Sequence, residues 1–515
     1  MPKKIIYFMD HYSDFGGAAN TLLRQAILVK RAKNEVIVVV STWGTICEDY
    51  LRICKKDKIP VYEICYSVTS QPEGVDLLSV FENYEDVKIF LKEQVPDIVH
   101  SVQLNPTVEL ACRELNIPHI MNIYQAIPEF FRLHYADIFP RYHICDSVCY
   151  AEFWKQQLGT ISYCIRTVVE DKEPNGFLID PDMLRFVCIG LLCERKNQLE
   201  VIKAFEIAVK CHGVCGTLQL FGRVGSEYAE LCQQRIAEGG LEDHIMIRGF
   251  SRNMEAVYRN SDVLICGSTV ESYPNVISEA LSHGLIVIST PVAGVPEVVR
   301  DGDNGYLCKG YTAESIADSI QKVICDAKAG KSQKIMENAR ATYEKIHSPN
   351  AVTFNLLKCY EDVMAGYKVE NLYGMNELKE EFSGFIDTFY RYENYFACSD
   401  YVKMNLWKIY YVIQFLNKVK TKYNYYIWGT GKYGRIYKEI LDVFAPNVTL
   451  AGYIDSYGKG EYMGHEIVEP DKALHRGKNI ILVGIIAKRN EVFDILNNNK
   501  FHYNDDYFIF DSMNW

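Results

Sequence analysis

The stretch Glu271-Ser272-Tyr273-Pro274-Asn275-Val276-Ile277-Ser278-Glu279 puts one carboxylate before, and one inside, what reads as the opening of a helix. Pro274 suits the first helical position, because its missing N–H would be unpaired there anyway. The Asn275 and Val276 amides then lie in the first turn, without intrahelical partners and aimed at an anion. A carboxylate accepts hydrogen bonds from two vicinal hydroxyls, as recognition of a sugar or ribose requires. Two carboxylates flanking a phosphate-binding turn would grip hydroxyls on both sides of a diphosphate. A capped helix with surface acids fits the same spacing equally well.

Two glycine clusters offer related chemistry. Gly16 and Gly17 follow an apolar run, Lys4 to Met9, and precede a helical pattern carried by Ala19, Leu22, Leu23, Ala26 and Ile27. Glycine lets backbone approach a ligand closely, and a helix start favours phosphate. The same pair also suits an ordinary strand-to-helix turn. Farther on, Gly429-Thr430-Gly431-Lys432-Tyr433-Gly434 follows the strand Tyr425 to Trp428, and Asp455 ends the strand Leu450 to Ile454. Gly429, Gly431, Gly434 and Asp455 match the dinucleotide fingerprint in spacing and context. No Tyr-x-x-x-Lys pair follows to supply catalysis. A module that binds a nucleotide or nucleotide sugar, and a structural or oligomerising module without a ligand, fit equally well.

The elements that must position these groups alternate: short apolar run, glycine turn, helical stretch. That is α/β architecture with parallel sheets. Further strands are expected at Val36–Val40, Asp97–His100, His119–Ile123, Arg185–Ile189, Thr217–Phe221, His244–Ile247, Asp262–Cys266, Leu285–Ser289, Asn479–Gly484 and Tyr507–Phe510. Two doubly wound units cover 1–172 and 173–345, a helical return and linker covers 346–420, and a small Rossmann-like unit covers 421–515. Val402 to Lys420, with Trp407, Tyr410, Tyr411, Ile413 and Phe415 beside several Lys, reads as a helix packed between domains, with a membrane-surface helix as the alternative.

The 515 residues fit three or four domains at roughly 150 residues each. Hydrophobic residues at 48% and charged residues at 23% exclude a mainly disordered chain. A formal charge of −11 argues against nucleic acid as a partner. No apolar stretch reaches the ~20 residues of a membrane span, and the N-terminus lacks a signal-peptide core. The 17 Cys form no C-x-x-C pair. Cys145 and Cys149, or Cys211 and Cys215, lack a suitably spaced His, so buried free thiols in a reducing, cytoplasmic setting are expected and no metal site is.

From Phe186 to about Leu307 the chain resembles the donor domain of retaining glycosyltransferases of the GT-B fold, glycosyltransferase family 4 (glycosyl transferases group 1). The matching pieces come in order: Ile189-Gly190, Arg195-Lys196-Asn197-Gln198, Leu220-Phe221-Gly222, Gly249-Phe250, Ser261-Asp262-Val263, the E-x7-E pair Glu271 and Glu279, Ala280, Gly284, Ala293-Gly294-Val295-Pro296-Glu297, and Asp301 to Gly305. Gly16-Gly17 also fits, and the resemblance extends more weakly over residues 4 to 366.

The resemblance implies a nucleoside-diphosphate sugar as co-substrate, a UDP-sugar by preference, with no other cofactor required. It implies that Lys196 holds the donor diphosphate, Glu279 the ribose and Glu271 the sugar. Tyr273, Asn275 and Val276 lie in the turn that binds phosphate or sugar, Gly17 touches the diphosphate from the first domain, and Phe250 lines the base pocket. Two departures stand out. Leu191 follows Gly190 where the family usually has Arg, leaving Arg195 as a substitute guanidinium or a surface residue. Tyr124-Gln125 occupies the place of the usual acceptor-side His. His100 and His119 read as core or surface residues. The implied activity is hexosyl transfer to a saccharide or lipid-linked hydroxyl in surface polysaccharide assembly, at the inner face of the membrane. A sugar-nucleotide epimerase, a phosphorylase, or a nucleotide-binding regulatory protein with an inactive site are the alternatives.

Overall fold

The computed structural model describes residues 2–9, 17–42, 48–66, 77–103, 106–124, 140–177, 179–367, 375–392, 406–419, 424–456, 458–474, 479–484, 489–501 and 507–508. Runs rich in Ile and Val form strands buried on both faces, as parallel sheets demand. Lys4–Phe8 (β1), Glu35–Ser41 (β2), Val61–Ile64 (β3), Ile98–Val102 (β4), His119–Asn122 (β5), Tyr142–Cys145 (β6) and Ile161–Cys164 (β7) make one seven-stranded parallel sheet, ordered β3-β2-β1-β4-β5-β6-β7. Leu184–Ile189 (β8), Gly216–Phe221 (β9), Ile245–Gly249 (β10), Val263–Cys266 (β11), Ile286–Ser289 (β12) and Tyr306–Leu307 (β13) make a second parallel sheet, ordered β10-β9-β8-β11-β12-β13. Strand order reverses between β1 and β4, and between β8 and β11. Those are the points where doubly wound sheets open a crevice at their carboxyl ends.

The third sheet is built from Asn424–Trp428 (β14), Leu450–Ile454 (β15), Glu461–Tyr462 (β16), His465–Val468 (β17), Asn479–Val483 (β18) and Tyr507–Phe508 (β19), ordered β16-β17-β15-β14-β18-β19. Only β16 and β17 pair antiparallel, through a two-residue turn at Met463 and Gly464 with φ of 49° and 75°. Two positive φ values define the turn that matches strand twist.

Strands β3, β6, β7, β13, β16 and β17 are absent from the sequence-based expectation. They are short, and β3 is only partly buried, so hydrophobic periodicity has little to act on.

The return after the second sheet begins at Ser348, whose side chain accepts the Ala351 amide, followed by Pro349 in the first turn of the helix Pro349–Gly366. This helix packs back on the first domain. Val352, Leu356, Cys359, Tyr360 and Val363 are buried with Ile5, Tyr7, Leu22 and Val38. Tyr360 also satisfies buried polar groups: its hydroxyl lies 2.7 Å from Tyr7 Oη and 2.7 Å from His100 Nδ1. Burial drives His100 down to about 3, so the ring is neutral. His119 is buried too, between Ser101 and Glu109.

The helices Met375–Arg391 and Leu406–Val419 share one core with the first and third sheets, through Phe382, Phe385, Ile409, Val412, Ile413 and Leu416. The apolar face Ile409, Val412, Ile413 and Leu416 is therefore covered by protein, as a helix packed between domains requires. The side chains of Trp407, Tyr411 and Phe415 lie outside the described residues. Among the described residues no helix is long and apolar enough to cross a membrane.

Because Leu356 is fully buried in the first-domain core, Leu356→Ala should cost about 2–5 kcal/mol. Guanidinium unfolding followed by tryptophan fluorescence checks this; an unchanged midpoint would show that the helix does not close that core.

A candidate active site between the first two domains

Strand β11 ends at Cys266 and feeds the loop that carries Glu271. Strand β8 feeds the short turn Glu194–Lys196. The two loops meet through charge. Lys196 Nζ is 2.6 Å from Glu271 Oε1, and the Arg195 guanidinium reaches the same oxygen. Arg195 also donates to the Val270 carbonyl at 3.1 Å. Side-chain exposure is 15% for Lys196 and 14% for Glu271, so the pair is largely out of water. The Lys196 stem runs over Gly190, where a Cβ would stand 3.3 Å from its Cδ and Cε. Leu191 is exposed, so the guanidinium that reaches this carboxylate belongs to Arg195.

The helix after the loop is Asn275–Ser282, with Pro274 as its N-cap at φ −69°. Pro274 sits one position earlier than the sequence spacing predicts, and Asn275 and Val276 remain the first two helical residues. Their amides face no intrahelical acceptor. The helix Gly17–Arg31 opens opposite: a Cβ on Gly17 would lie 3.8 Å from Asn275 Nδ2. Two helix N-termini, one from each domain, thus meet at the end of the loop that carries Glu271. Each supplies unpaired N–H groups and a partial positive charge.

Glu279 lies one turn into its helix and accepts the Tyr258 hydroxyl at 2.6 Å through Oε2. Tyr258 is buried and stacks on His283 with ring centroids 5.0 Å apart. Burial, and then the Glu279 charge, push its phenol well above the ordinary value, so it stays a donor. Phe250 follows β10 with its ring 68% exposed.

A group of interdomain contacts had no counterpart in the sequence reading. Glu297 accepts the Val148 and Cys149 amides at 2.8 and 2.9 Å, and pairs with Arg166. It therefore caps the helix Val148–Leu158 of the other domain. Burial opposes ionisation of Glu297, but those two amides and Arg166 hold it below the usual carboxylate range. Asp146 accepts the Ser272 hydroxyl, and Tyr150 Oη donates to the Glu271 carbonyl at 3.3 Å. Burial pushes Asp146 up to about 7, against the pull of Ser272 and Arg166. Gly294 makes this fit possible: a Cβ there would lie 2.5 Å from Ser147 Cβ and 3.0 Å from the Ser272 carbonyl. The legible hint was only that Gly294 and Glu297 fall within one matched stretch.

Other expected residues are placed elsewhere. Tyr273 is 4% exposed, stacked on His347 with its hydroxyl 3.1 Å from Nε2, beneath the Arg166 guanidinium. It supports the loop that precedes the helix at Asn275. Tyr124 is half-buried, and burial and then the Asp146 charge push its phenol well above the ordinary range. Gly16 and Gln125 lie outside the described residues. Gly429, Gly431, Gly434 and Asp455 come together in the third domain, away from this cleft. Asp455 there accepts Thr430 Oγ1 at 2.7 Å and the Gly458 amide at 2.9 Å, and Gly434 packs on the Gly429 carbonyl. Cys145 is buried, whereas Cys211 and Cys215 are exposed, which corrects their reading as buried thiols.

Residues 165–342 match the family model described as glycosyl transferases group 1. The chain is 25% identical over 276 residues to the poly(glycerol-phosphate) alpha-glucosyltransferase of Bacillus subtilis, covering 52% of this chain and 40% of that protein. It is 30% identical over 159 residues to the N-acetyl-alpha-D-glucosaminyl L-malate synthase of Bacillus anthracis, covering 31% of this chain and 40% of that protein. These matches span well under half the length of the curated relatives. Among solved structures, a glycosyltransferase from Rickettsia africae superposes with a TM-score of 0.59 at 18% identity, covering 71% of this chain and 100% of that one. Anabaena Alr3699/HepE, in complex with UDP and glucose, superposes with a TM-score of 0.56 at 19% identity, covering 70% and 100%. The facing parallel sheets have the GT-B fold, and within them residues 165–342 match the glycosyl transferases group 1 model.

Proposed function

We propose that the chain is a retaining glycosyltransferase that moves a hexose-type sugar from a nucleoside diphosphate, UDP by preference, to a hydroxyl of a saccharide or lipid-linked acceptor in surface-polysaccharide assembly. The observation that carries this reading is the meeting of the helix starts at Gly17 and Asn275 at the end of the loop whose Glu271 pairs with Lys196. Such a site offers amides, a dipole and cations to a diphosphate, next to a carboxylate that can take sugar hydroxyls. The UDP held by Anabaena Alr3699/HepE, and the poly(glycerol-phosphate) named for the Bacillus subtilis relative, support the donor and acceptor classes.

The chemistry follows from charge. Breaking the bond between the sugar and its diphosphate leaves negative charge on the phosphate oxygen. Lys196, Arg195 and the Asn275 and Val276 amides are in place to stabilise it before it forms, the arrangement from which most rate enhancement comes. An arriving diphosphate competes with Glu271 for both cations, which frees Glu271 Oε1 for the sugar. Glu279 keeps one oxygen on Tyr258 and presents the other to the ribose. The exposed Phe250 ring offers a face for the base. The acceptor hydroxyl attacks from the side the diphosphate leaves and gives its proton to the departing phosphate, so no protein nucleophile is required. Closure of the domains excludes water.

Isothermal titration of the chain with UDP, GDP and ADP tests the cleft. One of the three should bind. Lys196→Ala should weaken it roughly 10- to 150-fold, the worth of a charged hydrogen bond of about 1.5–3 kcal/mol. Glu279→Ala should weaken nucleoside diphosphate about tenfold through loss of the ribose contact. If the wild type ignores all three, or both variants bind as it does, the cleft is not a donor site. The anomeric configuration of the product, read by NMR, separates retention from inversion.

A further inference from the structure

The segment that carries Glu271 is held from its own domain and also from the other. Tyr150 Oη donates to the Glu271 carbonyl at 3.3 Å, and Ser147 Oγ lies 3.3 Å from Ser272 Oγ. The Ser272 hydroxyl donates to Asp146 Oδ1. From its own domain, Ser272 has the Gly294 amide on its carbonyl at 3.0 Å. Asp146 is itself fixed, because its carbonyl accepts Arg166 Nη1 at 2.6 Å and Arg166 is paired with Glu297. Asp146 and Ser272 are 5% and 7% exposed, so water does not compete for the contact.

We propose that Asp146 is a positioning residue that acts across the domain boundary. Through the Ser272 hydroxyl it fixes the backbone on which Glu271 stands, so that Glu271 is aimed at the donor sugar only when the two domains are together. The proposal rests on the glycosyltransferase reading of the cleft and adds to it the group that sets its grip on the sugar. The physical argument is directional. Lys196 and Arg195 hold the Glu271 carboxylate from below its loop, but a diphosphate draws those cations away. The Gly294 amide and the Tyr273–His347 stack then hold the loop from its own side, and Asp146, Ser147 and Tyr150 are the contacts that hold it from across the boundary. Opening of the domains breaks all three at once. Nucleotide binding draws on the helix starts at Asn275 and Gly17, on Lys196 and on Glu279, none of which is held by these three contacts.

The test separates sugar from nucleotide. Calorimetry is run with UDP and with UDP-glucose on wild type, Asp146→Ala, Ser272→Ala and Asp146→Asn, with thermal unfolding as a check on each fold. In Asp146→Ala and Ser272→Ala, UDP-glucose should bind about three- to tenfold more weakly, the worth of one hydrogen bond, while UDP binds as it does to wild type. Asp146→Asn, whose side-chain carbonyl still accepts the Ser272 hydroxyl, should restore UDP-glucose binding. Equal weakening of UDP and UDP-glucose would mark a merely structural role and overturn the proposal. So would wild-type UDP-glucose binding by Ser272→Ala, the milder variant. If GDP or ADP binds in place of UDP, the same comparison is read with that nucleotide and its glucose derivative; a wild type that binds none of the three would instead overturn the reading of the cleft, and the proposal with it.

Discussion

One carboxylate with two cations on it organises the centre of this protein. Glu271, Lys196 and Arg195 form a charge cluster in which Lys196 and Glu271 are mostly shielded from water. Leaving any member unpaired there costs more than the pairing yields, because desolvated charge is expensive. The cluster therefore fixes the spacing between the loops after β8 and β11. It also holds positive charge, already desolvated, where a diphosphate would displace the carboxylate.

The same constraint explains the interdomain surface. The first two domains meet through polar pairs that cross the boundary: Glu297 on the helix start at Val148, Arg166 on Glu297, and Asp146 on Ser272. An interface built from such pairs is specific in geometry and modest in net strength. Such pairs bring the two domains together in one register. Tyr273 and His347, stacked beneath the loop, give it a stiff floor.

The architecture was largely legible in the sequence, because long Ile- and Val-rich runs followed by glycine turns leave few alternatives to doubly wound sheets. Glu271, Glu279 and Lys196 were legible because their residue types and order carry a family resemblance. Arg195 was readable only as an alternative, since a guanidinium shifted along the chain looks like surface charge until the loop is folded. Asp146, Arg166 and the cap at Glu297 were invisible. Their partners are more than a hundred residues away in sequence, and no local periodicity encodes a contact between domains. The packing of Tyr273 on His347 was not legible, because an aromatic residue in a loop before a helix serves packing as readily as recognition. The shortest strands were missed because two- to four-residue segments carry too little pattern.

The return helix Pro349–Gly366 has a consequence for synthesis. It supplies Leu356 and Tyr360 to a core whose strands end at Cys164. The whole second domain is made in between. At about 5–20 residues per second, translation leaves the open face of the first domain waiting for ten seconds or more. During that time Tyr7 and His100 lack the hydroxyl that later joins them. The donor domain, contiguous in sequence, can fold on the ribosome before its partner does. The nascent chain thus completes its second half first, and the exposed apolar face of the first is the stretch a holdase chaperone would meet.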